Sequence, residues 1–127
     1  MLLVKTNVGI SPIHGIGLFA GEDISEGEVI WEYNPNMDRQ IDGITLSGLD
    51  EEFVRIYAYH DKQLDKWILP IDNDRFTNHS ECPNTGPLED GRMVARQCIE
   101  CGEELTIDYR EIDQLWNQKL LDQCEVE

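Results

Sequence analysis

Glycine and proline break this chain before any run of residues grows long. Gly9, Pro12, Gly15, Gly17, Gly21, Gly27 and Pro35 all fall early. In a helix interior Gly costs about 1 kcal/mol and Pro about 3 relative to Ala, so the first half reads as short strands joined by turns. Strands are expected over Leu2 to Thr6, Gly17 to Ala20 and Glu28 to Tyr33, with Glu26-Gly27 as a tight turn between the last two. Asn34 to Gly48, rich in Asn, Pro, Asp and Gly, reads as a long connection.

The second half is similar, with two helical stretches. Ser47 is placed to cap a short helix, with Asp50 at its dipole-positive end. Leu49, Phe53, Ile56 and Tyr57 follow at i, i+4, i+7 and i+8 and form its apolar face. Further strands are expected at Lys66 to Pro70, Arg92 to Ala95 and Leu105 to Tyr109, with a polar stretch from Asp72 to Gly91 and a turn at Cys101-Gly102. In the tail Ile112, Leu115, Trp116 and Leu120 share a helical face. The fold class is therefore mainly β: many short strands, two small helices, and loops longer than compact domains carry without a functional reason.

A chain of 127 residues suits one domain, taken as residues 1–127 with a core over about 4–110 and a terminal helix over about 111–123. No apolar run approaches the roughly 18 residues of a membrane span, and Lys5 and Asn7 follow Met1 to Val4 too soon for a secretory segment. A cytoplasmic location is expected, or a nuclear one where a nucleus exists. Ten Lys plus Arg against twenty-six Asp plus Glu give a net charge of −16. That field argues against direct nucleic-acid binding and against anionic membranes, and favours basic partners; it also serves solubility alone.

Cys82, Cys98, Cys101 and Cys124 read as reduced thiols. Cys98 and Cys101 have the spacing of half a zinc knuckle, but no second close pair completes it, so no metal is expected. Gly15-Ile-Gly17-Leu-Phe-Ala20 matches the dinucleotide fingerprint with Asp38 near the acidic position, yet Gly21 and Gly27 leave no room for the helix that motif requires. Those glycines instead let backbone bend and approach another strand or a ligand.

Arg75-Phe-Thr-Asn78-His79-Ser80-Glu-Cys82-Pro83-Asn84 crowds donors and acceptors into one loop, suited to orienting a polar ligand or pinning a crossing chain. Ser80 beside His79 is no hydrolase pair, because adjacent residues on an extended chain face apart. Gly102-Glu-Glu-Leu-Thr-Ile-Asp-Tyr109 by itself is a strand with an aromatic at its end.

Taken in order, Ile13-His-Gly-Ile-Gly-Leu-Phe-Ala20, Asp23-Ile-Ser-Glu-Gly-Glu-Val-Ile30, Arg75 to Ser80 with Pro83-Asn84, and Gly102 to Tyr109 resemble the SET domain of protein lysine methyltransferases, from about Val4 to Arg110. The resemblance implies several small curved sheets and a C-terminal pseudoknot, where the Asn-His-Ser stretch crosses the strand before Tyr109. It implies S-adenosyl-L-methionine as cofactor, held by His14, Gly15, Ile16, Gly17, Asn78, His79 and Tyr109. It implies a basic protein or peptide as substrate, its lysine entering a channel from the opposite side, with Tyr57, Tyr59 and Ile107 at that channel and Tyr109 as the catalytic residue.

The chemistry suits such a channel. A free lysine, pKa about 10.4, carries a handicap of roughly 4–5 kcal/mol as a nucleophile at pH 7, and burial beside a like charge lowers that pKa.

Two departures from the family pattern bear on this. The usual Asn-His-Ser-Cys-x-Pro-Asn stands here as Asn-His-Ser-Glu-Cys-Pro-Asn, and only Cys124 follows the domain, so the zinc-bearing lid of many relatives is not expected. The helix with Trp116 is the candidate lid and a cofactor contact. Ile107 stands where relatives use Phe or Tyr to limit methyl number, and it carries no hydroxyl to hold a water. The competing reading is a SET-fold module that binds basic peptides without efficient transfer; a zinc scaffold ranks last.

Overall fold

The structure is a computed structural model, and it describes residues 1–41, 48–61 and 64–112. Strands β1 (Thr6–Ile10) and β2 (Ile16–Ala20) form an antiparallel hairpin in which Thr6 pairs with Ala20 and Ile10 with Ile16. β3 (Val29–Trp31), β9 (Met93–Ala95) and β8 (Thr85–Pro87) form a second antiparallel sheet, β9 central. β4 (Arg39–Ile41), β6 (Lys66–Leu69) and β5 (Tyr59–Asp61) form a third. β7 (Asn78–His79) and β10 (Thr106–Ile107) run parallel, Thr106 opposite Asn78 and Ile107 opposite His79. The described helices are α1 (Leu49–Tyr57) and α2 (Tyr109–Ile112), with a 3-10 turn at Asn73–Phe76. This is the expected mainly β architecture of short sheets with two short helices, and the Asn-His stretch crosses beside the strand before Tyr109 as expected.

The core lies where the hairpin meets the β3–β9–β8 sheet. Leu18, Ile24, Ile30, Trp31, Ile99 and Leu105 are buried there. The bridges Leu2–Trp31, Phe19–Glu104 and Ile24–Ile99 sew distant segments together around it. Three-residue strands are marginal as ribbons, so these sheets persist because their inward side chains share this one cluster.

Several local expectations fail for tertiary reasons. The first strand occupies Thr6–Ile10 rather than Leu2 to Thr6, because pairing with β2 sets its register and leaves Leu2 to bridge Trp31. The strand read over Glu28 to Tyr33 is trimmed to Val29–Trp31. The connection from Asn34 carries β4, recruited by β6 despite its polar residues. The polar stretch Asp72 to Gly91 contains the 3-10 turn, β7 and β8. The last strand stops at Ile107, and Tyr109 opens α2 instead of ending the strand.

Helix α1 turns a different face inward from the one its periodicity marks. Val54 is its buried residue, while Leu49, Phe53 and Ile56 are exposed and Tyr57 is half-buried. Its N-cap is Gly48; Ser47 lies outside the described residues. The expected helix over 111–123 also lies outside them beyond Ile112, and with it Leu115, Trp116 and Leu120. No described helix is long and apolar enough to cross a membrane.

Candidate active site

The β7–β10 crossing exists because buried side chains supply bonds that two-residue strands cannot. Asn84 donates its amide to the Glu104 carbonyl at 2.8 Å and accepts from the Thr106 N–H at 2.9 Å. The fully buried Thr85 hydroxyl donates to the Thr106 carbonyl at 2.7 Å. Buried polar groups persist only when paired, and here each pairing also locks a strand.

Asn78, also buried, aims its carboxamide at the hairpin turn. Its Nδ2 lies 3.0 Å from the His14 carbonyl oxygen, 3.3 Å from that of Ile16 and 3.0 Å from Glu104 Oε2. An amide offers two hydrogens, so one is shared. Glu104 in turn accepts from the Ser11 hydroxyl at 2.8 Å, and that hydroxyl oxygen accepts from the Ile13 N–H at 2.9 Å. A Cβ on Gly17 would stand 2.5 Å from Glu104 Oε2, so only glycine admits this carboxylate. The turn at His14–Ile16 is thereby held from behind while its outer face is exposed, with Gly15 at φ +48° and no described atom within 4 Å of a Cβ there. Bare, fixed backbone of this kind can be approached closely by a ligand. Asn78 positions the turn.

His79 links this turn to the tyrosine. Its Nδ1 accepts from the Tyr109 N–H at 3.2 Å, lies 3.8 Å from an Asp108 carboxylate oxygen, and its ring centre is 5.5 Å from that of Tyr109. Accepting at Nδ1 requires a lone pair there, so the bond belongs to the neutral imidazole. The Tyr109 hydroxyl donates to the Thr77 carbonyl. Burial first, and then the nearby Asp74 charge, raise this phenol well above its ordinary range, so it works as a protonated donor.

Tyr57, Tyr59, Ile107 and Tyr109 come together on one narrow recess of about 50 Å³, with Asp74 and Thr77 in its wall. Contacts hold Tyr57 in place: its ring packs 4.8 Å from Phe53 and 6.0 Å from Phe76. Burial, reinforced by Asp61, Asp74 and Asp38, raises the Tyr59 phenol far above its usual range. The recess adjoins a cavity of about 270 Å³ whose walls include Leu18, Ile30, Trp31 and Met93, and Tyr59, Asp74, Thr77 and Ile107 face both. Trp31 adds a buried indole N–H with no acceptor among the described residues.

The expected residues thus fall into two groups. His14 to Gly17 with Asn78 form the hairpin-side group, and the three tyrosines with Ile107 form the recess; His79 and Tyr109 join them. Trp116 lies outside the described residues. Sequence reasoning missed Ser11, Glu104, Thr77 and Asp74. Glu104 was visible only as one acid among many, and the bonds to Ser11 and Asn78 that give it a role are not a local property. Cys82, Cys98 and Cys101 are exposed, and no metal-ligating cluster forms among the described residues.

Residues 15–110 match the SET domain family. In three dimensions the chain is similar to a candidate histone methyltransferase of Plasmodium falciparum, with TM-score 0.63 and 24% identity over 85% of this chain and 95% of that one. It is also similar to Polycomb Repressive Complex 2 of Chaetomium thermophilum bound to S-adenosylmethionine, TM-score 0.67 and 25% identity over 94% of this chain. A humanized mutant of that complex bound to an inhibitor gives TM-score 0.64 and 28% identity over 86% of this chain. This chain spans 17% and 15% of those two longer chains.

Proposed function

This chain belongs to the SET-domain family, and on that premise we propose that it is a protein lysine methyltransferase using S-adenosyl-L-methionine on a basic protein substrate. The observation that carries the reading is the narrow recess at Tyr109, walled by Tyr57, Tyr59 and Ile107. Its apolar and phenolic walls suit an extended alkyl chain, with Asp74 and Thr77 also in the wall. The S-adenosylmethionine-bound polycomb structure supports the cofactor, and the histone methyltransferase resemblance and the net charge of −16 support a basic substrate.

When bound, the cofactor supplies an electrophilic methyl group on a positively charged sulfonium. His14 to Gly17 and His79 are the residues that would hold it. Asn78, Glu104 and Ser11 keep the hairpin turn in one shape, so orientation is set before the ligand arrives. The recess strips water from the incoming amine and so disfavours its ammonium form. Tyr109, anchored on Thr77 and kept protonated, fixes one edge of the path without taking a proton itself.

The test is incubation with cofactor carrying a labelled methyl group and a histone mixture. Label on lysine from the wild type, and at least a 100-fold loss in Tyr109→Phe with unchanged thermal stability, supports the reading. A wild type that binds histone tails but leaves them unlabelled replaces it with the binding-module reading.

A further inference from the structure

Asp74 is a carboxyl that neither the family resemblance nor the reading above employs, and it stands in the wall common to the recess and the larger cavity. It lies in the 3-10 turn Asn73–Phe76, three residues before Thr77, whose carbonyl accepts from the Tyr109 hydroxyl and whose own N–H and hydroxyl both bond the Asp74 carbonyl, at 3.0 and 2.7 Å. Among the described residues the side chain itself makes one long hydrogen bond, from Thr77 Oγ1 at 3.4 Å from its Oδ1. Its charge reaches both Tyr59 and Tyr109.

We propose that Asp74 receives the ammonium of the target lysine and takes its proton, leaving the neutral amine beside Tyr109. This rests on the methyltransferase reading for its purpose, while the amine-binding step stands on the recess alone. In the step an Nζ–H bond breaks and an Oδ–H bond forms; the electron pair of the broken bond stays on nitrogen as its lone pair. The proton then leaves through the larger cavity, whose wall Asp74 also forms.

The surroundings favour such an exchange. Burial and the neighbouring Asp72 and Asp38 push Asp74 up to about 7, against an opposing pull from the Met1 amino group and Thr77. A carboxyl poised near neutrality accepts and returns a proton more readily than one near 4. Other charged groups facing the same space are Asp61, Glu89 and Glu111, of which Glu111 is paired with Arg96. Arg75, next in the chain, also lines the recess, its guanidinium 4.8 Å from the Phe76 ring centre.

The experiment has two arms. In the first, the Asp74 carboxyl is titrated by carbon NMR in the wild type without cofactor, with and without n-butylammonium chloride as a side-chain mimic. The mimic is expected to lower the Asp74 midpoint; an unmoved midpoint overturns the assignment. In the second, wild type, Asp74→Asn and Asp74→Glu label a histone mixture between pH 6 and 10. Asp74→Asn is expected to lose at least tenfold at pH 7 and regain most of it by pH 10, where about a quarter of free lysine arrives neutral, while Asp74→Glu keeps a wild-type profile. An equal loss at every pH, or no loss, overturns the assignment. A mimic that shifts the midpoint in a wild type that labels nothing upholds the amine site and refutes the methyltransferase reading, so the two failures are distinguishable.

Discussion

Asn78 and Glu104, far apart in sequence, share a 3.0 Å hydrogen bond, and through it a residue of one crossing strand and a residue before the other jointly hold the His14–Ile16 turn. The carboxamide is the hub of this arrangement. Asn78→Ala removes the donor and strands two carbonyls and a carboxylate, at a cost of about 1–3 kcal/mol. Thermal unfolding should drop by roughly 3–10 °C, and calorimetry should show weaker S-adenosylmethionine binding. Loss of binding without loss of stability would mean that Asn78 touches the ligand directly.

Gly15 and Gly17 should respond differently to alanine. At Gly17 a Cβ would sit 2.5 Å from Glu104 Oε2 and 3.0 Å from Ser11 Cβ, and Glu104 is tied by Ser11 and Asn78. Overpacking there should cost about 1–3 kcal/mol. At Gly15 the added methyl meets open space, and only the backbone at φ +48° resists, at about 1 kcal/mol. Denaturant unfolding of the two variants checks the order; a larger effect at Gly15 contradicts it.

Asp74 imposes a pH dependence on stability opposite to that of a salt-bridged acid. Its folded value of about 7 exceeds the ordinary 3.8, so between those values the folded protein keeps a proton that the unfolded chain has lost. Stability from this group is therefore complete below about pH 4, declines as pH rises through the window, and is flat above about 7. Asp74→Asn should remove that decline, gaining on the order of 4 kcal/mol on wild type between pH 4 and 8. Urea unfolding at both pH values measures it, and parallel changes in the two proteins would contradict the sign.

Ile107 faces both the recess and the cavity. Given the proposed activity, wild type should add more than one methyl, since a branched aliphatic neither fills the space as a ring would nor holds a water. Ile107→Tyr should shift the products toward monomethyl lysine. Mass spectrometry of the products decides; monomethyl product alone from the wild type contradicts the expectation.

Much of the site could be read from the chain because its motifs are local. The His14–Gly17 turn, the Asn78-His79 pair and Tyr109 need only a short window each, and the structure brings all of them to the β7–β10 crossing or the hairpin beside it. The α1 stripe shows the limit of the same method. Leu49, Phe53 and Ile56 share a face by helical spacing, yet that face is exposed and Val54 packs inward. Periodicity identifies a face; what arrives to cover it is decided elsewhere in the fold.

Alone, the sequence determined the strand-length runs, the glycine turns and the order of the motifs, because backbone propensity and steric permission act within a few residues. Tertiary structure decided the register of β1, the recruitment of β4, the start of α2 at Tyr109, and the roles of Ser11, Thr77, Asp74 and Glu104. An aspartate or glutamate among twenty-six looks like any other in the chain. Its chemistry is set by the water removed from it and the groups brought against it, and both depend on contacts between residues far apart in sequence.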